Sequence, residues 1–124
     1  MILITFLLRR RADVALDEFH RYWREEHGPL VASHAATLGL RRYVQLHSVD
    51  AALAEGLRRS RDCFPSDFDG VALVAVDSID ALATAASTPE GVAAGVALLE
   101  DERRFIDLER SVIWLTDEHV VLAG

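Results

Sequence analysis

Two short segments carry most of the ring and polar side chains that could do chemistry: FHRYWREEHGPL at Phe19–Leu30 and RRYVQLH at Arg41–His47. They match no nucleophile motif, phosphate loop or metal-ligand spacing. What they offer is imidazole, phenol and amide groups, which move protons near neutral pH or orient a substrate oxygen. In a strand, Tyr43, Gln45 and His47 share one face. His47 is the first candidate for a general acid/base, with Tyr43 and Gln45 holding a phenol, carbonyl or enolate oxygen.

In the first segment His27 follows Trp23 by four residues, on one helical face. Gly28-Pro29 comes next, and a helix broken there opens space and frees backbone groups for a ligand. His27 is the second candidate, and Phe19 and Trp23 are candidate walls. His20 lies on the same stripe, but seven helical residues separate the two histidines by ~10.5 Å. That is too far for one ion whose bonds to nitrogen are about 2.1 Å, so no metal site is expected. Asp101, Glu102 and Asp107 flank Phe105. Asp101 and Glu102 read as solvated helix charges, whereas Asp107, beside the apolar Phe105-Ile106 pair, could fix a histidine tautomer. His34 and His119 look peripheral. Cys63, the one cysteine, reads as a loop thiol with no internal disulfide partner.

The elements that must position these groups follow from patterning. Ile2–Leu8 is a strand apolar on both faces. A helix follows, with Asp17 and Glu18 in its first turn. Leu16, Phe19, His20, Trp23, His27 and Leu30 form its stripe, and it bends or breaks at Gly28-Pro29. It resumes through Ala35 and stops near Gly39. Leu40–Val49 is the second strand, with Val44 and Leu46 opposite the Tyr43 face. Asp50–Arg61 is a short helix capped by Asp50, and Cys63–Asp67 is loop. Val71–Val76 is a third strand. Helical segments run from Ile79 to Ala86 and from Glu90 to Leu108, interrupted at Thr88-Pro89. Ser111–Leu115 is the fourth strand, and Val120–Leu122 continues it or forms a fifth.

The resulting order predicts an α+β fold of ferredoxin-like type, a four-stranded antiparallel sheet with helices on one face. Strands apolar on both faces leave the other face uncovered, which predicts a homodimer with sheets packed face to face. At 124 residues the chain is expected to be a single domain, long enough to bury roughly two-thirds of its unfolded surface. A net charge of −7 argues against a nucleic-acid partner. The basic residues are all arginine, and the runs at Arg9–Arg11 and Arg58–Arg61 read as solvated edges. The opening apolar run is too short for a membrane span and runs into arginines in the wrong order for a secretory signal, so a cytoplasmic protein with no membrane partner is expected.

FLLRRR, EFHRYWREEHGPL, RRYVQLH, DGVALVAVDS and EDERRFIDLERS together resemble the EthD-domain pattern, in order and spacing, from Ile2 to about Val121. The resemblance implies a dimeric α+β barrel with a cofactor-independent pocket between sheet and helices in each subunit. Relatives of that barrel class include cyclases, dehydratases, decarboxylases, isomerases and oxygenases of aromatic or polyketide-like compounds. The recurrent positions of the family correspond to Trp23, His27, Pro29, Leu30, Tyr43, Gln45, His47, Asp69, Gly70, Phe105 and Asp107. One departure stands out: Ala75 and Val76 occupy places where an aromatic pair is common. If Ala75 faces the pocket, either the cavity accepts a bulkier ligand or Trp114 replaces the missing ring.

These observations favour a lyase- or cyclase-type enzyme needing no cofactor, acting on a hydrophobic aromatic or polyketide-like molecule by dehydration, cyclisation or decarboxylation. His47, His27 and Tyr43 are its expected catalytic groups. Gln45, Trp23, Phe19, Ala75, Phe105 and Asp107 are the expected substrate contacts. The alternatives are a dimeric accessory protein that binds a hydrophobic metabolite unchanged, and an oxygenase without cofactor.

Overall fold

A computed structural model describes all 124 residues. Four strands, β1 (Ile2–Leu8), β2 (Arg42–His47), β3 (Gly70–Val76) and β4 (Val112–Asp117), form one sheet in the order β2-β3-β1-β4, antiparallel at every pairing. This is the ferredoxin-like arrangement of two interleaved β-α-β halves. The register pairs Ile4 with Val74 and Leu115, and Val74 in turn with Tyr43. Because side chains alternate along a strand, Ile4, Phe6 and Leu8 share a face with Ala72, Val74, Tyr43, Gln45 and His47. That face meets the helices.

The first helical arm is α1 (Leu16–Tyr22), a single π-helical turn (Trp23–His27), α2 (Gly28–Ser33) and α3 (Ala35–Leu38). The helix does not break at Gly28-Pro29. Pro disfavours an α conformation before it largely through a clash with that residue's Cβ. Gly28 has none and keeps right-handed helical angles, φ −54° and ψ −53°. The missing bond is absorbed by widening the preceding turn, where the Gly28 N–H reaches back five residues to the Trp23 carbonyl. The arm ends at Gly39, whose φ of 69° suits a residue without a side chain.

Phe19, Trp23, Leu8, Ala72, Phe105 and Ile106 form the buried core between this arm and the sheet. Leu16, at the outer end of the expected stripe, stays exposed. The β2–β3 connection carries α4 (Ala52–Ser60), which starts after Ala51 with no side-chain cap, so Asp50 is not its cap. The second arm is α5 (Ile79–Ser87) and α6 (Pro89–Glu102), bent by 94° at Thr88. The helix expected to reach Leu108 stops at Glu102. The chain then turns so that Ile106 bridges to Arg10, and a 3-10 turn follows at Leu108–Arg110. Val120–Leu122 is neither a strand extension nor a fifth strand but exposed coil, lacking a neighbour to pair with.

The other sheet face carries Leu3, Thr5, Leu7, Ala75 and, toward the edges, Leu46, Val112 and Trp114. Leu46, Val112 and Trp114 are each more than 40% exposed. No single helix is long and apolar enough to cross a membrane.

The bend between α5 and α6 depends on Gly91. A Cβ there would lie 1.9 Å from the Ala85 carbonyl oxygen, whereas one on Gly95, a turn later, would meet nothing within 4 Å. Gly91→Ala should therefore destabilise the chain by about 2–3 kcal/mol. Gly95→Ala should stabilise it by roughly 0.5–1 kcal/mol, since helical glycine is costly and no contact opposes the change. Urea unfolding of both variants checks the pair, and equal effects would contradict this packing.

Candidate active site

Between the sheet and the two helical arms lies a cavity of about 190 Å³, lined by sixteen residues of which fourteen are hydrophobic. Ile4, Phe6, Leu8, Ala72 and Val74 form its floor, and Trp23, Val31, Leu82 and Leu98 close it from the helices. Such a volume suits a single ring with a small addition, since an apolar cavity near 150 Å³ holds benzene. Three lining side chains titrate: His27, Tyr43 and Glu102.

His27 is 4% exposed, on the π turn and against Phe105, with ring centroids 5.1 Å apart. Its Nδ1 lies 2.7 Å from Asp101 Oδ2, and the Tyr22 hydroxyl donates to the other oxygen of the same carboxylate. Both Asp101 oxygens are acceptors, so Nδ1 carries the hydrogen and Nε2 is left with a free lone pair. Nε2 lies 3.9 Å from Glu102 Oε2. Burial lowers the His27 pKa against the opposing pull of Asp101, which favours the neutral ring. Burial, reinforced by the negative charge of Asp101, raises Glu102 to about 7. A neutral imidazole and a carboxyl near half-protonation thus face one cavity, because burial disfavours the charged form of each and reverses their ordinary order of proton affinity.

The Tyr43 side chain is ordered by a different chain of contacts. The Trp23 carbonyl, already bonded by Gly28 in the wide π turn, also accepts from Gln45 Nε2 at 2.8 Å. A carbonyl can only accept, so the Gln45 amide must present its NH2 group there, and its second hydrogen goes to Tyr43 Oη at 2.8 Å. Gln45 Oε1 then faces His47 Nε2 at 2.8 Å, which makes that nitrogen the donor. Tyr43 Oη accepts inside the protein and keeps its own hydrogen for a ligand. A Cβ on Gly28 would lie 3.2 Å from Gln45 Nε2, so the glycine also gives this amide its room.

His47 itself is not on the cavity wall. It stacks on the Trp23 ring at 4.5 Å and 17°, beside His20 at 4.7 Å. Burial, and then the charges of His20 and Arg24, lower its pKa. Phe19 and Phe105 lie behind the wall as packing, with centroids 5.4 Å apart, and Gln45 is joined to the wall by its hydrogen bond to Tyr43. Gly70 lies under Trp23, where a Cβ would come within 2.5 Å of the indole. Asp69 is structural, accepting from the Arg10 N–H and, at its carbonyl, from His20 Nε2.

Two expected contacts lie elsewhere. Ala75 pairs with Leu3 and Arg42 and belongs to the open sheet face, as does Trp114 opposite Thr5. Neither the loss of a ring at Ala75 nor a substitute from Trp114 changes the cavity. Asp107 borders a separate surface groove with Arg11 and Arg103, and its backbone bonds Arg9 and Ser111. The carboxylate that orients a histidine is Asp101, not the solvated helix charge that its place in the chain suggests. Both it and Glu102 sit in the last turn of α6, facing His27, where a continuous helix to Leu108 is expected from the sequence. The available signal was their position just before Phe105, one helical turn from an aromatic core residue. No three His, Cys, Asp or Glu side chains converge to hold a metal ion.

The raised Glu102 pKa makes a statement about stability. The folded chain retains a proton that the unfolded chain loses above pH 4.5, so this contribution is complete below 4.5 and is lost as pH rises to and through about 7. His27 has the opposite sign, costing stability as pH falls below 6.5. Between pH 5 and 7.5, Glu102→Gln should therefore gain up to about 3 kcal/mol relative to the unsubstituted chain. Urea unfolding across that range checks it, and parallel profiles would contradict a buried Glu102.

Comparison with known proteins agrees with this architecture. Among curated proteins none matches the chain. Among solved structures, an EthD family protein from Bacillus halodurans superposes with a TM-score of 0.62 at 19% identity, over 96% of this chain and 100% of that one. An EthD-like protein from Ralstonia eutropha gives 0.61 at 17% identity, over 99% and 94%. A dimeric protein of ferredoxin-like fold from Bacteroides fragilis gives 0.59 at 14%, over 94% and 95%. The family model for the EthD domain matches residues 11–109, a span that holds the π turn, Tyr43, Asp101 and Glu102. The chain belongs to the EthD-domain family.

Proposed function

We propose that this protein is an enzyme that transfers protons within a small hydrophobic substrate by histidine-based acid/base chemistry, without a cofactor. The observation that carries the reading is the Tyr22–Asp101–His27 array, which holds an unprotonated Nε2 at the wall of an otherwise apolar cavity. An imidazole oriented by a carboxylate is the arrangement that general-base catalysis requires. Tyr43, with its hydrogen free, would donate to a carbonyl or enolate oxygen. His47 supports that hydroxyl through Gln45 and is a positioning residue. Ketones and phenols of a single aromatic ring with a small addition, such as a fused five-membered ring, fit the volume and the walls, and dehydration or enolisation-driven cyclisation fits the groups.

With neutral aromatic ketones and phenols as test compounds, His27→Gln should lower turnover by at least about 10²-fold. His47→Gln should lower it by less than roughly tenfold, since it removes support for Tyr43 and not the base. A larger loss in His47→Gln would reverse these roles, and equal losses would contradict the distinction between them. Compounds that bind and emerge unchanged would favour an accessory protein instead.

The same reading includes a second copy packed on the open sheet face. Support comes from the exposed Leu46, Val112 and Trp114 there, and from the dimeric description of the Bacteroides fragilis relative. Trp114→Glu should convert dimer to monomer in analytical ultracentrifugation, and an unchanged sedimentation coefficient would count against that interface.

A further inference from the structure

Glu102 is unusual on the cavity wall. It is the one carboxyl among the lining residues, and no arginine or lysine stands among them. Its near polar neighbour is His27 Nε2 at 3.9 Å, beyond hydrogen-bond distance, and hydrogen bonding plays no part in its raised pKa. Asp101, by contrast, is fully occupied: it accepts from His27 at Oδ2 and from Tyr22 at Oδ1, and the Arg104 guanidinium lies 3.6 Å from Oδ1. The 3.9 Å between Nε2 and Oε2 admits no atom between them, but a carbonyl compound lying alongside both would meet a lone pair with its α-carbon and a carboxyl with its oxygen.

We infer that Glu102 is the second proton-transferring group of the site, acting as the acid opposite His27, and that the pair selects an uncharged carbonyl substrate over a carboxylate. The inference rests on the acid/base reading given above. His27 Nε2 removes a proton from the carbon next to the carbonyl. The electron pair of that C–H bond becomes a C=C bond, and the carbonyl π pair takes the Glu102 proton at oxygen. The products are the enol, an imidazolium and the Glu102 carboxylate. Passage of the imidazolium proton to that carboxylate, 3.9 Å away, restores both groups. No oxidant, reductant or further reactant is needed.

The selectivity follows from charge. A carboxylate ligand would be dehydrated in a site without a counter-ion and would lie beside Glu102, with Asp101 one residue away. The groups facing Glu102 are His27 from the π turn, Tyr43 from β2 and its chain neighbour Asp101; only His27 could become a cation, and its burial opposes that. Decarboxylation is therefore the poorest match among reactions open to this family's fold, because its substrate carries the disfavoured charge.

The test uses 2-indanone and indane-2-carboxylate, a neutral ketone and an acid of similar size. Hydrogen–deuterium exchange at the ketone's α-carbon, followed by NMR in deuterated buffer, reads proton transfer, and calorimetry reads binding. The intact protein should accelerate exchange, His27→Gln should lose nearly all the acceleration, and Glu102→Gln should lose at least tenfold while still binding the ketone. The carboxylate should bind at least tenfold more weakly than the ketone at pH 8, by a wider margin than at pH 5.5. That comparison needs no variant and holds if Glu102→Gln folds poorly. Exchange untouched by Glu102→Gln, or a carboxylate bound as tightly as the ketone, overturns the inference. Absent exchange in the intact protein, or undiminished exchange in His27→Gln, instead overturns the acid/base reading itself, and Glu102's transfer with it.

Discussion

One main-chain carbonyl, that of Trp23, organises the polar half of the site. In a regular helix it would accept from the residue four places on. In the π turn it accepts from Gly28, five places on, and its second lone pair accepts from Gln45. Since a carbonyl cannot donate, every hydrogen downstream is assigned: Gln45 donates to Tyr43, and His47 donates to Gln45. The aromatic Trp23 ring does the corresponding work on the apolar side, walling the cavity and lying over Gly70. Residue 23 therefore couples the sheet, the helix and His47.

The second organising feature is electrostatic. Two adjacent carboxyl groups at the end of α6 are treated oppositely by their surroundings. Asp101 receives two hydrogen bonds and a nearby guanidinium, which suits it to hold His27 in one tautomer. Glu102 receives none, and burial beside Asp101 pushes its proton affinity toward neutrality. The hydrophobic walls serve both functions, since they exclude the water that would level the two groups.

Much of this architecture was legible in the chain. The alternation of Tyr43, Gln45 and His47 placed them on one face, and the 3.6-residue stripe placed Phe19, Trp23 and His27 against the sheet. The apolar strands implied a sheet face left open by the helices, and Leu46, Val112 and Trp114 are exposed there. Less legible was the fate of Gly28-Pro29, because a proline signals a lost hydrogen bond without specifying whether the helix breaks or widens. Asp101 and Glu102 were hidden for a related reason. Their charge suggested solvent, and the end of α6 at Glu102 has no glycine or proline to mark it.

The sequence by itself determined the fold class, the strand order implied by two β-α-β halves, and the ring-lined helix and polar strand that border the site. These follow from periodicity and local sterics, which act over a few residues. Only the tertiary structure decided which groups share the cavity: that His27 meets Asp101 and Glu102 from 74 and 75 positions away, that His47 lies outside the wall, and that Ala75 and Trp114 turn to the other sheet face. Strand register and helix packing set those choices. A one-residue shift of register would exchange the two faces of a strand, and no local signal reports which register long-range packing will select.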